Sequence, residues 1–498
     1  MGVLVRQSIA STFISYAGIA IGYVNLLYLY PLFLSPEQVG LMRAVQDASI
    51  LLAQFAQFGL AQSIIRFFPR FIGEISRSKS FINTILLSSL VAYAIFLILY
   101  FTLERSILGY FELNAQELIH FSNLILWLTF ITVMTTLMEV YARSLLKNVV
   151  PNLVREVVAR LMLSVLVLLY FWGVIDFQQV MIGSVILYLI CLLIIVFYLA
   201  LGDHLHFKAD FSIFDKGLKK EFVLFSLLSF AGTAGLIIIA KVDSLMVAGL
   251  LGLAPVAVYT TSSYMATVIE VPKRAMTQIA TPLIARGFEK NNLSEIKNIY
   301  QKTALNQFIL GSLLLIGVAA NLDSIFMLMP KGDIYQAGKW VVIIVGIGKL
   351  VDMLFGPSSE IIIYSKYYSF NILLIVLLSV VIVTSNNLLI PRYGIEGAAM
   401  GTAITMIIFN TVKFVFIWTR LALQPFTMAF RHVIFASAVA LTINYFLPRI
   451  DFTLADMVVR SAAITLAFGG YVFIAKISPE GNQLITSSFN SIKSRIFN

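Results

Sequence analysis

A ladder of about fourteen apolar stretches, each long enough to cross a bilayer at roughly 20 residues per span, dominates this chain and restricts it to very few folds. With no water in the hydrocarbon core to satisfy backbone groups, a spanning chain must be helical or a closed barrel. Uninterrupted apolar runs such as 85-101 break the in-out alternation a barrel needs, so the expected fold is all-α. Composition agrees: of 498 residues, 59% are hydrophobic and 12% charged, and the mean hydropathy is +0.92. The spans are expected near 7-34, 38-65, 80-103, 118-142, 152-172, 178-201, 222-249, 254-284, 303-320, 339-362, 368-388, 394-418, 432-448 and 456-475. The apolar stretch behind Arg6 runs to about Leu34 without a small-residue cleavage site, so it reads as the first span and not as a leader peptide.

An even number of spans puts both termini on one side, and the placement of Lys and Arg sets which side. Arg66, Arg70, Arg77 and Lys79 crowd one loop and Lys208, Lys216, Lys219 and Lys220 another on the side of the N-terminus, whereas the opposite loops hold isolated cations such as Arg105 and Lys331. Both termini are expected to be cytoplasmic. The net charge of +10 then follows from topology and contact with anionic membrane lipids, which removes the reason to read nucleic-acid binding into it. The single cysteine, Cys191, lies within a span and excludes an intramolecular disulfide and a cysteine metal cluster.

The chain also repeats. Ser15-Tyr16-Ala17-Gly18-Ile19-Ala20 recurs as Ser229-Phe230-Ala231-Gly232-Thr233-Ala234, and Pro36-Glu37-Gln38-Val39-Gly40-Leu41 as Leu253-Ala254-Pro255-Val256-Ala257-Val258, at nearly the same shift. Two matches in order point to two six-helix lobes, 1-201 and 222-420, joined by a basic linker at 202-221 and followed by two further helices in 421-498. Pro36 to Leu41, Phe58-Gly59-Leu60 with Arg66 and Pro69-Arg70, and Tyr393-Gly394-Ile395-Glu396-Gly397-Ala398-Ala399 carry a resemblance to the polysaccharide-transporter and oligosaccharide-flippase branch of the multidrug/oligosaccharidyl-lipid/polysaccharide exporter superfamily. The resemblance implies a V-shaped pair of bundles, acting as a monomer. It would carry a polyprenyl-pyrophosphate-linked glycan across a bacterial cytoplasmic membrane by alternating access, with H+ or Na+ as a coupling ion. O-antigen flippases of this kind have twelve spans and the similar lipid II flippases fourteen, so the branch stays open.

Such a carrier breaks no bond and needs no cofactor; it needs cations for the pyrophosphate, and a charge at the bilayer centre persists only with a partner or in a wet cavity. Arg43, Lys241 and Lys349 are singled out. Arg43 has Asp47 four residues on and Lys349 has Asp352 three residues on, so each is either a same-helix structural pair or a substrate contact. Lys241 has only Asp243, two residues away on another face, so its partner must lie on another helix, in water or on the substrate. Its repeat counterpart is Leu27, and that of Arg43 is Thr260; such asymmetry suits a site. Glu270, Lys273 and Arg274, beside Pro272, form a candidate gate or phosphate entry point. Glu139 and Glu360 read as solvated helix-end residues, and His204 and His206 beside Asp203 as loop residues lacking a third metal ligand. Tyr28, Tyr30, Tyr259 and Tyr264 offer faces for stacking on sugars.

Two other classes share some of these features. A multidrug-type antiporter of the same superfamily would be expected to bury an acid in an early span; the first span is uncharged from Gln7 to Pro36, and Asp47 and Asp243 keep the class open. An enzyme would be expected to show a large outer loop or a His and acid pair, and His120 has no acid partner in sequence. There is no phosphate-binding glycine loop, so ATP hydrolysis does not supply the energy.

Overall fold

The computed structural model describes residues 3–71, 75–203, 205, 215–483 and 486–487, with side chains from 10 onward apart from 75–78; His204 and His206 lie outside the described residues. The described chain is helical with short connections and falls into two compact units, Met1–Thr260 and Thr261–Asn498.

In the first unit, α1 (Val3–Val24) continues through a π-helical turn, Asn25–Leu29, into the short α2 (Tyr30–Phe33). α3 (Pro36–Gln57) and α4 (Leu60–Phe67) follow, then α5 (Ile75–Gly109), the short α6 (Gln116–His120) and α7 (Ser122–Ser144). The short α8 (Val149–Leu153) passes through a second π-helical turn, Val154–Val158, into α9 (Ala159–Phe171), and α10 (Phe177–Leu201) and α11 (Lys216–Leu251) complete the unit. α12 (Leu253–Glu289) carries the chain over the boundary. The second unit holds α13 (Leu293–Leu328), the short α14 (Gly332–Tyr335), α15 (Lys339–Leu354), α16 (Ser358–Tyr364), α17 (Tyr368–Leu421), α18 (Ala429–Phe446) and α19 (Thr453–Ile474).

The start of α3 is written in its sequence. Ser35 accepts from the Gln38 amide at 3.3 Å while the Gln38 side chain accepts from the Ser35 amide at 2.9 Å, a capping box with Pro36 in the first turn. Four residues into the motif, Gly40 lies against the corner between α11 and α12: a Cβ there would stand 1.8 Å from the Leu253 carbonyl oxygen. α3 ends where Phe58 and Gly59 take left-handed conformations, and the following segment bends away by 56°. Gly59 permits this twice over, by its positive φ and because a Cβ would meet the Ser226 carbonyl oxygen at 2.2 Å.

The second motif is also a packing device. α17 is two helices in one label, because Gly394 leaves helical conformation at φ 61°, ψ −139°. The chain folds back there, with Gly397 against the Leu389 carbonyl and Gly401 against Asn386, so that small residues let two antiparallel helices approach closely. The expected separate spans 368-388 and 394-418 sit on its two arms.

Among the described residues, nine helices are long and apolar enough to cross a membrane, or up to eleven when the bent pairs Pro36–Gln57 with Leu60–Phe71 and Gly332–Leu354 with Ser358–Tyr364 each count as one span. The expected fourteen is larger because it also divides α17 at Gly394 and counts α12 and 152-172. α12 is diluted by Thr260, Thr261, Ser262 and Ser263, and 152-172 carries Arg155, Glu156 and Arg160. The protein is an all-helical, multi-pass membrane protein. Exposed apolar side chains such as Ile98, Phe197, Leu466 and Phe446 line helix surfaces in the manner expected of lipid-facing positions.

Candidate functional site

Each unit holds a buried constellation of charged side chains on its spanning helices. In the first unit α3 packs along α11, and the Lys241 ammonium lies 2.5 Å from Asp47 Oδ1. The Ser244 hydroxyl, one turn along α11, donates to Asp47 Oδ2 at 2.7 Å. Asp47 is 6% exposed, so its charge is taken up entirely by α11. The same-helix pair read from the i,i+4 spacing of Arg43 and Asp47 is therefore replaced: Arg43 turns to neutral Gln46, donating to its Oε1 at 3.2 Å. Gln46 in turn donates to the Tyr188 hydroxyl on α10 at 2.7 Å. Asp243 is buried and accepts from the Tyr259 hydroxyl at 2.8 Å.

In the second unit the charges form a ladder. Glu270 and Lys273 stand one turn apart on α12, and Lys349 and Asp352 one turn apart on α15. Lys349 Nζ lies 2.6 Å from Glu270 Oε2, and Lys273 pairs with Asp352. The order acid then base on α12 meets base then acid on α15, and both pairs ascend together, so the two helices run parallel where they meet. A parallel pair is what one intervening spanning helix, α13, produces. Here too the same-helix alternative, Lys349 with Asp352, gives way to cross-helix pairs. The expected Glu270 and Arg274 pair does form, with Arg274 Nε 3.6 Å from Glu270 Oε1.

This ladder has two more members that sequence reasoning passed over. Lys413, on the second arm of α17, is 1% exposed and donates to the Ser359 hydroxyl of α16 at 2.9 Å. Its ammonium also stands 3.8 Å from the centre of the Phe409 ring. Glu360 is half-buried and within electrostatic reach of Lys273 and Lys413, which corrects its reading as a solvated helix-end residue. The local arrangement is thus Lys273, Lys349, Arg274 and Lys413 around Glu270, Asp352 and Glu360. A cation-rich cluster of side chains on spanning helices suits an anionic ligand better than a cationic one.

The model of the family described as polysaccharide biosynthesis protein matches residues 4–288, more than half of the chain. The chain belongs to this family. No curated protein matches it. Among solved structures, a lipid II flippase, MurJ, in an inward closed conformation superposes with a TM-score of 0.74 at 14% identity, covering 95% of this chain and all of that one. An inward-facing multidrug resistance transporter of the MATE family and MOP superfamily gives 0.63 at 16% identity over 85% of this chain and 98% of that one. A MOP superfamily transporter from Pyrococcus furiosus, described as having a binding pocket of reversed polarity that suggests a different function, gives 0.54 at 15% identity over 84% and 95%. At these identities the likeness is one of fold.

This polysaccharide biosynthesis family member has a third charged network, in its first unit. Glu139, expected to be solvated, is 8% exposed and accepts from Arg155 at 2.9 Å. Arg155 also meets Glu156, which pairs with Arg160 at 2.8 Å, and Arg160 donates to the Gly18 carbonyl of α1. The correction has a plain cause: the turn at 145-149 brings α8 and the second π-helical turn back beside α7, within reach of Glu139. Arg155, Arg160 and Lys413 all fall inside spans drawn from the sequence, so their signal, a charge within an apolar run, was present. Of the tyrosines, Tyr30 and Tyr259 are buried and Tyr28 is exposed. Among the described residues no group of three or more His, Cys, Asp or Glu is placed to hold a metal.

Proposed function

We propose that the protein flips a polyprenyl-pyrophosphate-linked oligosaccharide across the bacterial cytoplasmic membrane by alternating access, for cell-surface polysaccharide synthesis. The observation that carries this reading is the second unit's charged ladder, where the buried or half-buried Lys273, Lys349 and Lys413, joined at the edge by exposed Arg274, face Glu270, Asp352 and Glu360. A pyrophosphate diester supplies the missing negative charge. Lys349 and Asp352 form the substrate-binding part, and Glu270, Lys273 and Arg274 the gate through which phosphate enters. In the first unit Arg43 donates to a neutral amide and makes no ion pair among the described residues, so it is a cation open to substrate; Lys241 binds substrate only when its pair with Asp47 parts, with Asp243 at the edge of the same set. No covalent chemistry and no cofactor are required.

The crowding of Lys and Arg at one set of loops supports a topology with both termini in the cytoplasm. The internal repeat supports two functional halves, 1-201 and 222-420, with 202-221 as linker and 421-498 as an added helix pair. H+ or Na+ supplies the drive, and the carrier works as a monomer among anionic lipids.

A second reading, lipid II flipping, is favoured by the full-length superposition on MurJ. A third, an ion-coupled multidrug-type antiporter, is favoured by the buried acids Asp47 and Asp243. Reconstitution into proteoliposomes separates them. Movement of a polyprenyl-diphosphate oligosaccharide from the inner to the outer leaflet is the expected result. Movement of lipid II alone, or proton-linked efflux of a cationic dye without lipid flipping, refutes it.

A further inference from the structure

Among the described residues of the second unit's cluster, Lys413 and Glu360 are the two charges that close no ion pair, and of these Lys413 is the more deeply buried. Its neighbours are all identified: Asp352 on α15, already bound by Lys273 from α12; Glu360 and Ser359 on α16; and Phe409 on its own helix. Among the described residues it makes no salt bridge within 4 Å, and its ammonium is held by a hydroxyl and an aromatic face. A charge so placed in a spanning helix is costly to keep without a counter-charge.

The polar groups around it are set to donate. Ser359 accepts from Lys413, which leaves its own hydroxyl proton unspent. Next to it the Ser358 hydroxyl, at 0% exposure, has no hydrogen-bond partner. All of this lies beside a break in a spanning helix, where α15 gives way to α16 at Gly356 (φ 56°) with a bend of 47°. Interrupted helices in membrane proteins are tolerated where the freed polar groups face a ligand or a cavity.

We infer that Lys413, with the Ser358 and Ser359 hydroxyls, forms a phosphate-oxygen subsite at the α15–α16 break for the diphosphate of the substrate. This rests on the flippase reading above and adds to it residues that neither the repeat nor the short motifs mark. Ser359 parks the ammonium in the empty protein and hands it to a phosphate oxygen when ligand arrives.

The test is isothermal titration of the purified full-length protein with inorganic pyrophosphate. Lys413→Met is expected to weaken binding by roughly tenfold or more, Lys413→Arg to retain it, and Lys302→Met, which removes an exposed pair with Glu480, to leave it unchanged. Without ligand, Lys413→Met is expected to melt no lower than wild type, because it removes a charge that lacks a partner. Equal pyrophosphate binding by wild type and Lys413→Met overturns the inference, as does a lowered melting temperature that Lys413→Arg restores without restoring binding. Repeating the titration in phosphatidylcholine and phosphatidylglycerol nanodiscs separates the sources of phosphate. Equal affinity in both supports the diphosphate assignment, and competition by phosphatidylglycerol that needs Lys413 assigns the subsite to a lipid headgroup and overturns it. Flipping by a wild type that does not bind pyrophosphate overturns this inference alone. Pyrophosphate binding through Lys413 without flipping refutes the proposed function and leaves the subsite standing.

Discussion

The two units treat their intramembrane charges differently. In the first, Lys241 meets Asp47 and Ser244 completes the carboxylate's hydrogen bonds, so one cation and one anion are spent on each other. In the second, Glu270 is shared between Lys349 and Arg274, Asp352 is taken by Lys273, and Lys413 rests on neutral groups. The first arrangement holds two helices together with Arg43 beside it on a neutral amide; the second holds helices together and adds Lys413 and the exposed Arg274 to its paired charges. Balanced pairs fit a scaffold, and a surplus fits the recognition of an anion.

Breaking the second unit's ladder is expected to have the largest effect. Glu270→Ala strands both Lys349 and Arg274, and removing one partner of a buried pair costs about 3–5 kcal/mol; thermal melts of the purified protein check it. The exchange Glu270→Lys with Lys349→Glu restores the pair and is expected to recover most of that loss. The matching cut in the first unit, Asp47→Ala, is expected to cost less, about 2–3 kcal/mol, because the Lys241 side chain keeps 31% of its exposure and can reach water. Equal losses in the two melts would erase the contrast.

Close helix approach offers a comparison that involves no charge. Gly40→Ala in the first unit and Gly397→Ala in the second each drive a Cβ onto a backbone carbonyl oxygen, at 1.8 Å and 2.2 Å, and backbone must move to make room. Each is expected to cost about 1–3 kcal/mol, the first no less than the second. Unchanged melting of either variant would show that the corner it serves is loose.

The smallest effect lies outside the spans. Glu480 takes a hydrogen bond from Lys302, which holds its carboxyl below the ordinary glutamate range. A depressed value adds stability that is present above the unfolded pKa and lost as pH falls through the folded one. Wild type is therefore expected to exceed Glu480→Gln at neutral pH by under about 1 kcal/mol, as for an exposed pair. The gap should close below the usual glutamate range, and a gap independent of pH would contradict the assignment.

Much of the fold was legible because lipid leaves so few options: apolar runs became helices, and the Pro36–Gly40 and Tyr393–Ala399 motifs became a capped helix start and a tight antiparallel corner. The division of α17 at Gly394 follows from one residue free to take a positive φ. The intramembrane charges were visible in the sequence, and their pairings were not. Spacing along one helix ties Arg43 to Asp47 and Lys349 to Asp352, yet the real partners are Gln46 for Arg43, Lys241 for Asp47, Glu270 for Lys349 and Lys273 for Asp352. Register between helices decides such pairs, and it is set by contacts far apart in sequence. Lys241 was the exception: with no acid on its own face it had to look to another helix, and Asp47 is what it finds. Lys413, Arg155 and Arg160 were missed for a different reason, since a charge near the end of an apolar run reads as interfacial until the fold shows it buried or networked.

The central claim is that the second unit's surplus cations recognise the diphosphate of a lipid-linked glycan. The most direct measurement is flipping of a polyprenyl-diphosphate oligosaccharide in proteoliposomes by two double variants compared at matched levels of folded protein, Lys349→Met with Lys413→Met, which removes two of the second unit's cations, and Asp47→Leu with Lys241→Met. The account predicts that the first abolishes flipping while the second keeps a substantial part of it. Wild-type flipping by the first variant would contradict the account.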